Sequence, residues 1–140
     1  MLYVDTSLLV AALTNEAGTR RIQEWLGEHD PDELAISDWV AAEFSAALSI
    51  KLRTGTIEAH HRADALTMFA RLCNDNLAVM PVSRMQFHMA ARFADQYALG
   101  LRAGDALHLA ICADQGATIC TLDRRLAEAA LVAGVDAVLL

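Results

Sequence analysis

No stretch of this chain stays apolar over the ~18 residues that a membrane span needs, and no membrane partner is expected. Met1 leads straight into Leu2-Tyr3-Val4, without a basic region followed by an apolar segment, so no secretion signal is expected either. Cysteine is scarce: Cys73, Cys112 and Cys120 are odd in number, lie among apolar neighbours and show no CxxC spacing. They read as reduced core thiols of a cytoplasmic protein and not as a disulfide framework, with zinc binding the remote alternative. Positive charge is scarce too. The net charge is −7, which argues against bulk, nonspecific coating of nucleic acid. A small site where a metal ion and a few arginines meet phosphate is still allowed. Lysine is nearly absent: of eleven basic residues only Lys51 is Lys, and the rest are Arg, the better bidentate phosphate partner. Repeats, low-complexity stretches and linkers are missing.

What the chain does have is apolar content, 55% over 140 residues. That suits one compact domain, residues 1–140, with a sizeable core. Leu2–Asp5 reads as a strand that is apolar throughout, as a central parallel strand would be. Helices are expected over Thr6–Asn15 and Thr19–Glu28, with a short strand at Leu34–Ile36. Ser37 or Asp38 caps a long helix to about Arg53, stopped by Gly55. A further helix runs from Thr56 to about Asn74, and Leu77–Val82 is a strand. Ser83-Arg84-Met85-Gln86 has a capping-box pattern and starts a helix expected to end near Gly100. Ala103 to about Gln115 is a helix closed by Gly116. Thr118–Leu122 is a strand, Arg124–Ala133 a helix closed by Gly134, and Val135–Leu139 a last strand. The alternation predicts an α/β fold, a sandwich of helices around a mostly parallel sheet.

Four carboxylates interrupt these apolar elements. Asp5 ends the first strand. Glu43 lies inside the alanine-rich Trp39–Leu48 stretch, in a row with Trp39, Ala46, Ala47 and Ile50 that reads as inward-facing. Asp105 opens the apolar helix Asp105–Ala113. Asp123 follows Thr118–Leu122. In open parallel sheets the ligand crevice lies beyond the carboxyl ends of the strands, which is where Asp5 and Asp123 fall. Each acid alone has a plainer reading: Asp5 as a turn or N-cap residue, Asp105 and Asp123 as carboxylates favoured by a helix N-terminus. Glu43 is harder to explain that way, because acids in mid-helix normally face water and no cation precedes Lys51 within helical reach. Its partner has to come from elsewhere. Two carboxylates about 4 Å apart repel by about 4 kcal/mol at an effective dielectric near 20. Four together would strain a fold worth roughly 5–15 kcal/mol, so convergence calls for protonation or a divalent cation. An all-oxygen set without Cys or His at ligand spacing favours Mg²⁺ or Mn²⁺ over zinc.

The segments Leu2-Tyr3-Val4-Asp5-Thr6-Ser7, Val40-Ala41-Ala42-Glu43, Arg102-Ala103-Gly104-Asp105-Ala106-Leu107-His108-Leu109-Ala110 and Thr121-Leu122-Asp123-Arg124-Arg125 together resemble the PIN-domain ribonucleases, and among them the VapC-type toxins of bacterial toxin–antitoxin pairs. The order Asp, Glu, Asp, Asp matches, and the resemblance spans essentially the whole chain. It implies a PIN-like three-layer sandwich. It also implies a Mg²⁺- or Mn²⁺-dependent endoribonuclease acting on RNA, often a homodimer, silenced by a cognate antitoxin. Carried over by position, Asp5, Glu43, Asp105 and Asp123 are the catalytic, metal-binding acids. Ser7 and Thr121 match hydroxyl positions beside the site, although many members carry Asn where Ser7 stands. Thr6, Arg102 and Arg124 are candidates for supporting the acids or meeting substrate; Arg124 and Arg125 flank Asp123 at a helix N-terminus, a ready anion site. His108, one turn after Asp105, reads as a satisfied core or interface histidine before a general base. Phe87, Phe93 and Tyr97, with His108, are candidates for a dimer contact.

Two other readings stay open. A haloacid-dehalogenase-like or other phosphate hydrolase would use Asp5 for phosphotransfer, but it wants a second Asp at the position of Ser7. A phosphoaspartate signalling module would want a late strand-end Lys, and Lys51 lies inside a helix. The second open reading is a PIN-like binding module without activity.

Overall fold

The computed structural model describes residues 1–140. Five strands, β1 (Leu2–Val4), β2 (Leu34–Ser37), β3 (Ala78–Met80), β4 (Thr118–Thr121) and β5 (Ala137–Leu139), form one sheet in the order β3-β2-β1-β4-β5. Every pairing is parallel, with Leu2 opposite both Leu34 and Thr118. The sheet is therefore wholly parallel where a mostly parallel one was expected. Seven helices flank it: α1 (Thr6–Leu13), α2 (Thr19–Gly27), α3 (Asp38–Arg53), α4 (Ala59–Asp75), α5 (Arg84–Ala94), α6 (Ala103–Gln115) and α7 (Arg124–Val132). The fold is the expected α/β sandwich.

The central strands are buried along nearly their whole length, including all of Leu34–Ser37, because a parallel sheet carries helices on its faces. The core gathers Tyr3, Val4, Leu8, Leu9, Phe44, Leu48, Leu109, Ile111 and Ile119. Phe44 stacks on Phe69 with ring centroids 4.4 Å apart. α6 is buried without a break from Ala106 to Cys112. It stops where Gly116 takes a left-handed φ of 62°, a conformation that costs glycine nothing.

Three expectations need correction. α5 ends at Ala94, not near Gly100. Gln96 leaves the helical region, a 3₁₀ turn follows at Tyr97–Leu99, and Gly100 redirects the chain. Tyr97 is 92% exposed, so another helical turn had no apolar face to bury. α4 starts at Ala59 because the chain first folds back over the end of α3, with Thr56 and Ile57 N–H groups donating to the Lys51 carbonyl. On α3 the inward row is Val40, Phe44 and Leu48, whereas Ala46 and Ile50 are exposed. Glu43 sits at the border of the buried face, not in its middle.

The strand order reverses between β1 and β4: the chain steps outward from β1 to β2 and β3, then returns to β4 and β5 on the other side. Ligand crevices in such sheets open at this switch point, beyond the strands' carboxyl ends. Asp5 follows β1 and Asp123 follows β4, one on each side of it.

Candidate metal centre at the switch point

Asp5 is the N-cap of α1 and is only 5% exposed. The plain capping role is therefore real, but it accounts for one oxygen only. Oδ1 accepts from the Ser7 N–H at 2.8 Å, from the Leu8 N–H at 3.4 Å and from the Ser7 hydroxyl. Oδ2 accepts from the Thr121 hydroxyl at 2.7 Å, across the β1–β4 seam. Burial pushes the carboxyl pKa up, and the Ser7 and Thr121 hydroxyls offset this only in part. The same hydroxyls tie the loops together: Ser7 Oγ accepts from the Leu122 N–H at 3.0 Å, and Thr121 Oγ1 from the Asp123 N–H at 3.0 Å.

Glu43 has the distant partner its setting called for. Oε2 lies 2.7 Å from His108 Nε2 and accepts from the Thr6 hydroxyl. Partial burial works against ionisation of Glu43, but the hydrogen bond and electrostatic pull of His108, helped by Thr6, outweigh it and hold the pKa below the usual range. Oε1 makes no regular hydrogen bond. It faces Gly104, where a Cβ would come within 2.7 Å of it. The Trp39 indole lies against the same spot, its ring nitrogen 3.4 Å from that Cβ position. That N–H is buried without a regular partner, although its nearness contributes to the lowered Glu43 pKa.

Asp105 stands in the first turn of α6, with Oδ2 3.3 Å from the Arg102 N–H. Asp123 is exposed and caps α7, accepting from the Arg125 and Leu126 N–H groups at 2.8 and 3.3 Å. Asp105 and Asp123 line one cavity of about 120 Å³, with the loop at Leu99–Leu101 and the arginines Arg102 and Arg125. Arg125, not Arg124, faces this cavity; both are exposed.

The acids are thus linked in a ring of neighbours. Asp5 joins Asp123 through Thr121, and Glu43 joins Asp5 through Thr6. Glu43 abuts Gly104 beside Asp105, and Asp105 shares a cavity with Asp123. They are not drawn into a tight cluster. The one group of three or more acid, histidine or cysteine side chains with ligand atoms all within 4.8 Å of one another is Glu58, His60 and His61, exposed at the start of α4. The donor chemistry at the switch point still suits a hard cation. All ligand atoms there are carboxylate oxygens, and Glu43 Oε1, Asp105 Oδ1 and Asp123 Oδ2 carry no hydrogen bond.

Sequence reasoning missed the roles of Ser37 and Gly104 and saw only half of that of His108. Its reading as a satisfied core histidine holds, since it is 3% exposed and bridges Glu43 to Tyr3, whereas the same burial removes it from the dimer contact. An interior acid without a cation on α3 and an interior histidine on α6 were the two halves of that signal. Ser37 was read as a helix cap, yet its hydroxyl makes no cap bond and meets Tyr3 instead. Gly104 carried a weaker signal, a glycine inside a helical first turn.

The PIN domain family model matches residues 2–132. None of the curated proteins matches the chain. Among solved structures, the chain is similar to VapC20 from Mycobacterium tuberculosis, described as a sarcin-ricin loop cleaving toxin. The identity is 18% and the TM-score 0.74, covering 92% of this chain and 95% of that one. It is similar to FitAcB from Neisseria gonorrhoeae, with 15% identity, TM-score 0.70 and coverage of 98% and 96%. VapBC2 from Rickettsia felis, solved with a DNA fragment from its promoter, gives 16% identity, TM-score 0.70 and coverage of 100% and 99%. At such identities these likenesses speak to the fold.

Proposed function

The chain belongs to the PIN domain family, and from that premise we propose that it is a divalent-metal-dependent endoribonuclease, the toxin of a toxin–antitoxin pair. One observation carries the reading: acids from β1, α3, α6 and the end of β4 lie around the switch point, three of them with an oxygen left free of hydrogen bonds. We assign Asp5, Glu43, Asp105 and Asp123 as the groups that would hold Mg²⁺ or Mn²⁺. When bound, such an ion supplies charge neutralisation and Lewis-acid activation of phosphate and water.

The chain's own residues divide the remaining work. Ser7 and Thr121 fix both oxygens of Asp5, so this acid cannot swing away from the seam. Thr6 holds Glu43. Arg102 and Arg125, at the cavity that holds Asp105 and Asp123, supply positive charge for an RNA backbone that the net charge of −7 would otherwise repel. Arg124, one residue away and exposed, belongs to the same basic rim.

The phosphotransfer reading loses ground here. Asp5 takes donors on both oxygens, which dulls it as a nucleophile, and Ser7 is spent on holding Asp5.

The partner we assign is a small antitoxin whose Arg or Lys enters the acidic crevice and competes with the cation. A homodimer is proposed through α5 and the turn after it, where Phe87 is 53% exposed and Tyr97 92%. No helix is long and apolar enough to cross a membrane. The test is cleavage of a generic RNA during a Mg²⁺ and Mn²⁺ titration. Cleavage should need the metal, stop in excess EDTA and vanish in Asp105→Asn. Cleavage that persists in EDTA refutes the reading. A melting curve on each sample excludes unfolding as the cause.

A further inference from the structure

Glu43 is the only one of the four acids joined to a buried side-chain relay. Carboxylate Oε2 can only accept, so His108 Nε2, 2.7 Å away, carries the hydrogen and donates it. Nδ1 sits 2.9 Å from the Tyr3 hydroxyl, and the Tyr3 oxygen lies 2.7 Å from Ser37 Oγ, so an unbroken chain of hydrogen bonds runs from Ser37 to Glu43. Tyr3 comes from β1, Ser37 from the end of β2 and His108 from α6, and all three are buried. Three elements of the core thus converge on one oxygen of a residue at the edge of α3.

Satisfying buried polar groups does not explain this by itself. Glu43 remains 28% exposed, so water could have solvated its carboxylate. Holding a long, flexible side chain against a buried imidazole costs rotamer freedom. What the bond achieves is position: with Oε2 tied to His108 and Thr6, Oε1 is turned toward Gly104 and the first turn of α6, next to Asp105.

We propose that His108 is a positioning residue for Glu43: the Ser37–Tyr3–His108 chain anchors Oε2 and so presents Oε1 to the divalent cation. This rests on the reading of the four acids as a metal site, and partners of this kind that orient a ligand from behind are what tune metal affinity elsewhere.

The test is Mn²⁺ binding to the full chain, followed by the electron paramagnetic resonance signal of the free ion, with a melting curve for each variant. His108→Asn keeps a polar group near Tyr3 and loses the reach to Glu43. It should weaken Mn²⁺ binding by about 10–100-fold, the range for such orienting partners. His108→Gln places an amide nitrogen near the position of Nε2 and should restore most of the affinity, a rescue that a merely structural role would not produce. A folded His108→Asn that binds Mn²⁺ like wild type, while Asp105→Asn does not bind it, overturns the positioning role and leaves the metal site standing. Wild-type protein that binds no Mn²⁺ overturns both. Should His108→Asn fail to fold, the ¹⁵N spectrum of metal-free wild type decides: a hydrogen on Nε2 supports the relay, and a hydrogen on Nδ1 alone overturns it.

Discussion

The inner and outer halves of the crevice are built in different ways. Asp5 and Glu43 are held by side chains far away in sequence, Thr121 for one and His108 for the other. Asp105 and Asp123 are held by backbone N–H groups within three residues of themselves. The inner pair is fixed by the tertiary fold; Asp5 is costly to keep charged, as its raised pKa records, whereas His108 favours the charged form of Glu43. The outer pair rests on helix N-termini, where negative charge is favoured and water has access. A site of this design has a rigid floor, set when the sheet closes, and a rim whose charges face the substrate.

The widest gap between the halves should show in paired substitutions of acids. Asp5→Asn and Asp105→Asn should each reduce RNA cleavage by more than about 100-fold, beyond the range for outer-shell partners. Their stabilities should diverge. Metal-free Asp5→Asn should melt at or above wild type, because it removes a buried charge, while Asp105→Asn should change little. Asp5→Asn melting well below wild type would contradict the account of the floor.

Gly104→Ala comes next and joins the two halves. A methyl there would come within 2.7 Å of Glu43 Oε1, so the carboxylate must move. Cleavage and Mn²⁺ affinity should fall by about 10-fold, the lower end of the effect of mispositioning a ligand. Alanine nevertheless favours the helix by up to about 1 kcal/mol over glycine, so the melting point should not fall in step. Unchanged Mn²⁺ affinity would show that Oε1 is not a ligand.

Thr121→Val probes the floor and its tie to the rim. It removes the donor to Asp5 Oδ2 and the acceptor for the Asp123 N–H. The expected loss is about 1–3 kcal/mol in a urea titration, the usual cost of stranding buried polar groups.

The pH dependence of metal-free stability separates the inner acids by sign. Burial holds the folded pKa of Asp5 above 3.8, so its contribution is full below that value and is lost as pH rises through the folded pKa. Glu43 is shifted the other way: its contribution is present above about 4.5 and is lost as pH falls through its folded pKa. Urea titrations across pH should therefore show Asp5→Asn flattening only the decline toward higher pH.

The smallest effect is expected at the rim. Arg125→Gln should leave stability within about 0.5 kcal/mol, as for most surface changes. It should raise KM for RNA several-fold and reduce its salt dependence by about one phosphate contact. A KM that does not move would remove Arg125 from substrate binding.

How much of this could be read from the chain depends on how local each feature is. The strands show as apolar runs because both faces of a parallel sheet are covered, and Asp5 and Asp123 show because they end such runs. The helix bounds at Ala59 and Ala94 do not, since they depend on where neighbouring surface ends: Thr56 follows Gly55 and reads as a helix start, but its N–H closes the end of α3 in space. Glu43 announced itself as an acid without a cation, but its partner lies 65 residues away. Nothing short of the fold pairs α3 with α6. The choice between Arg124 and Arg125 turns on a single helical step of about 100°, finer than any sequence pattern resolves.

The central claim is that Asp5, Glu43, Asp105 and Asp123 form one divalent-cation site. Anomalous diffraction from crystals grown with Mn²⁺ tests it most directly. The account predicts a peak at the switch point, bonded to oxygens of Asp105 and at least one of Asp5, Glu43 and Asp123. A peak only at the exposed Glu58, His60 and His61 group, or none at the switch point at saturating Mn²⁺, would contradict it.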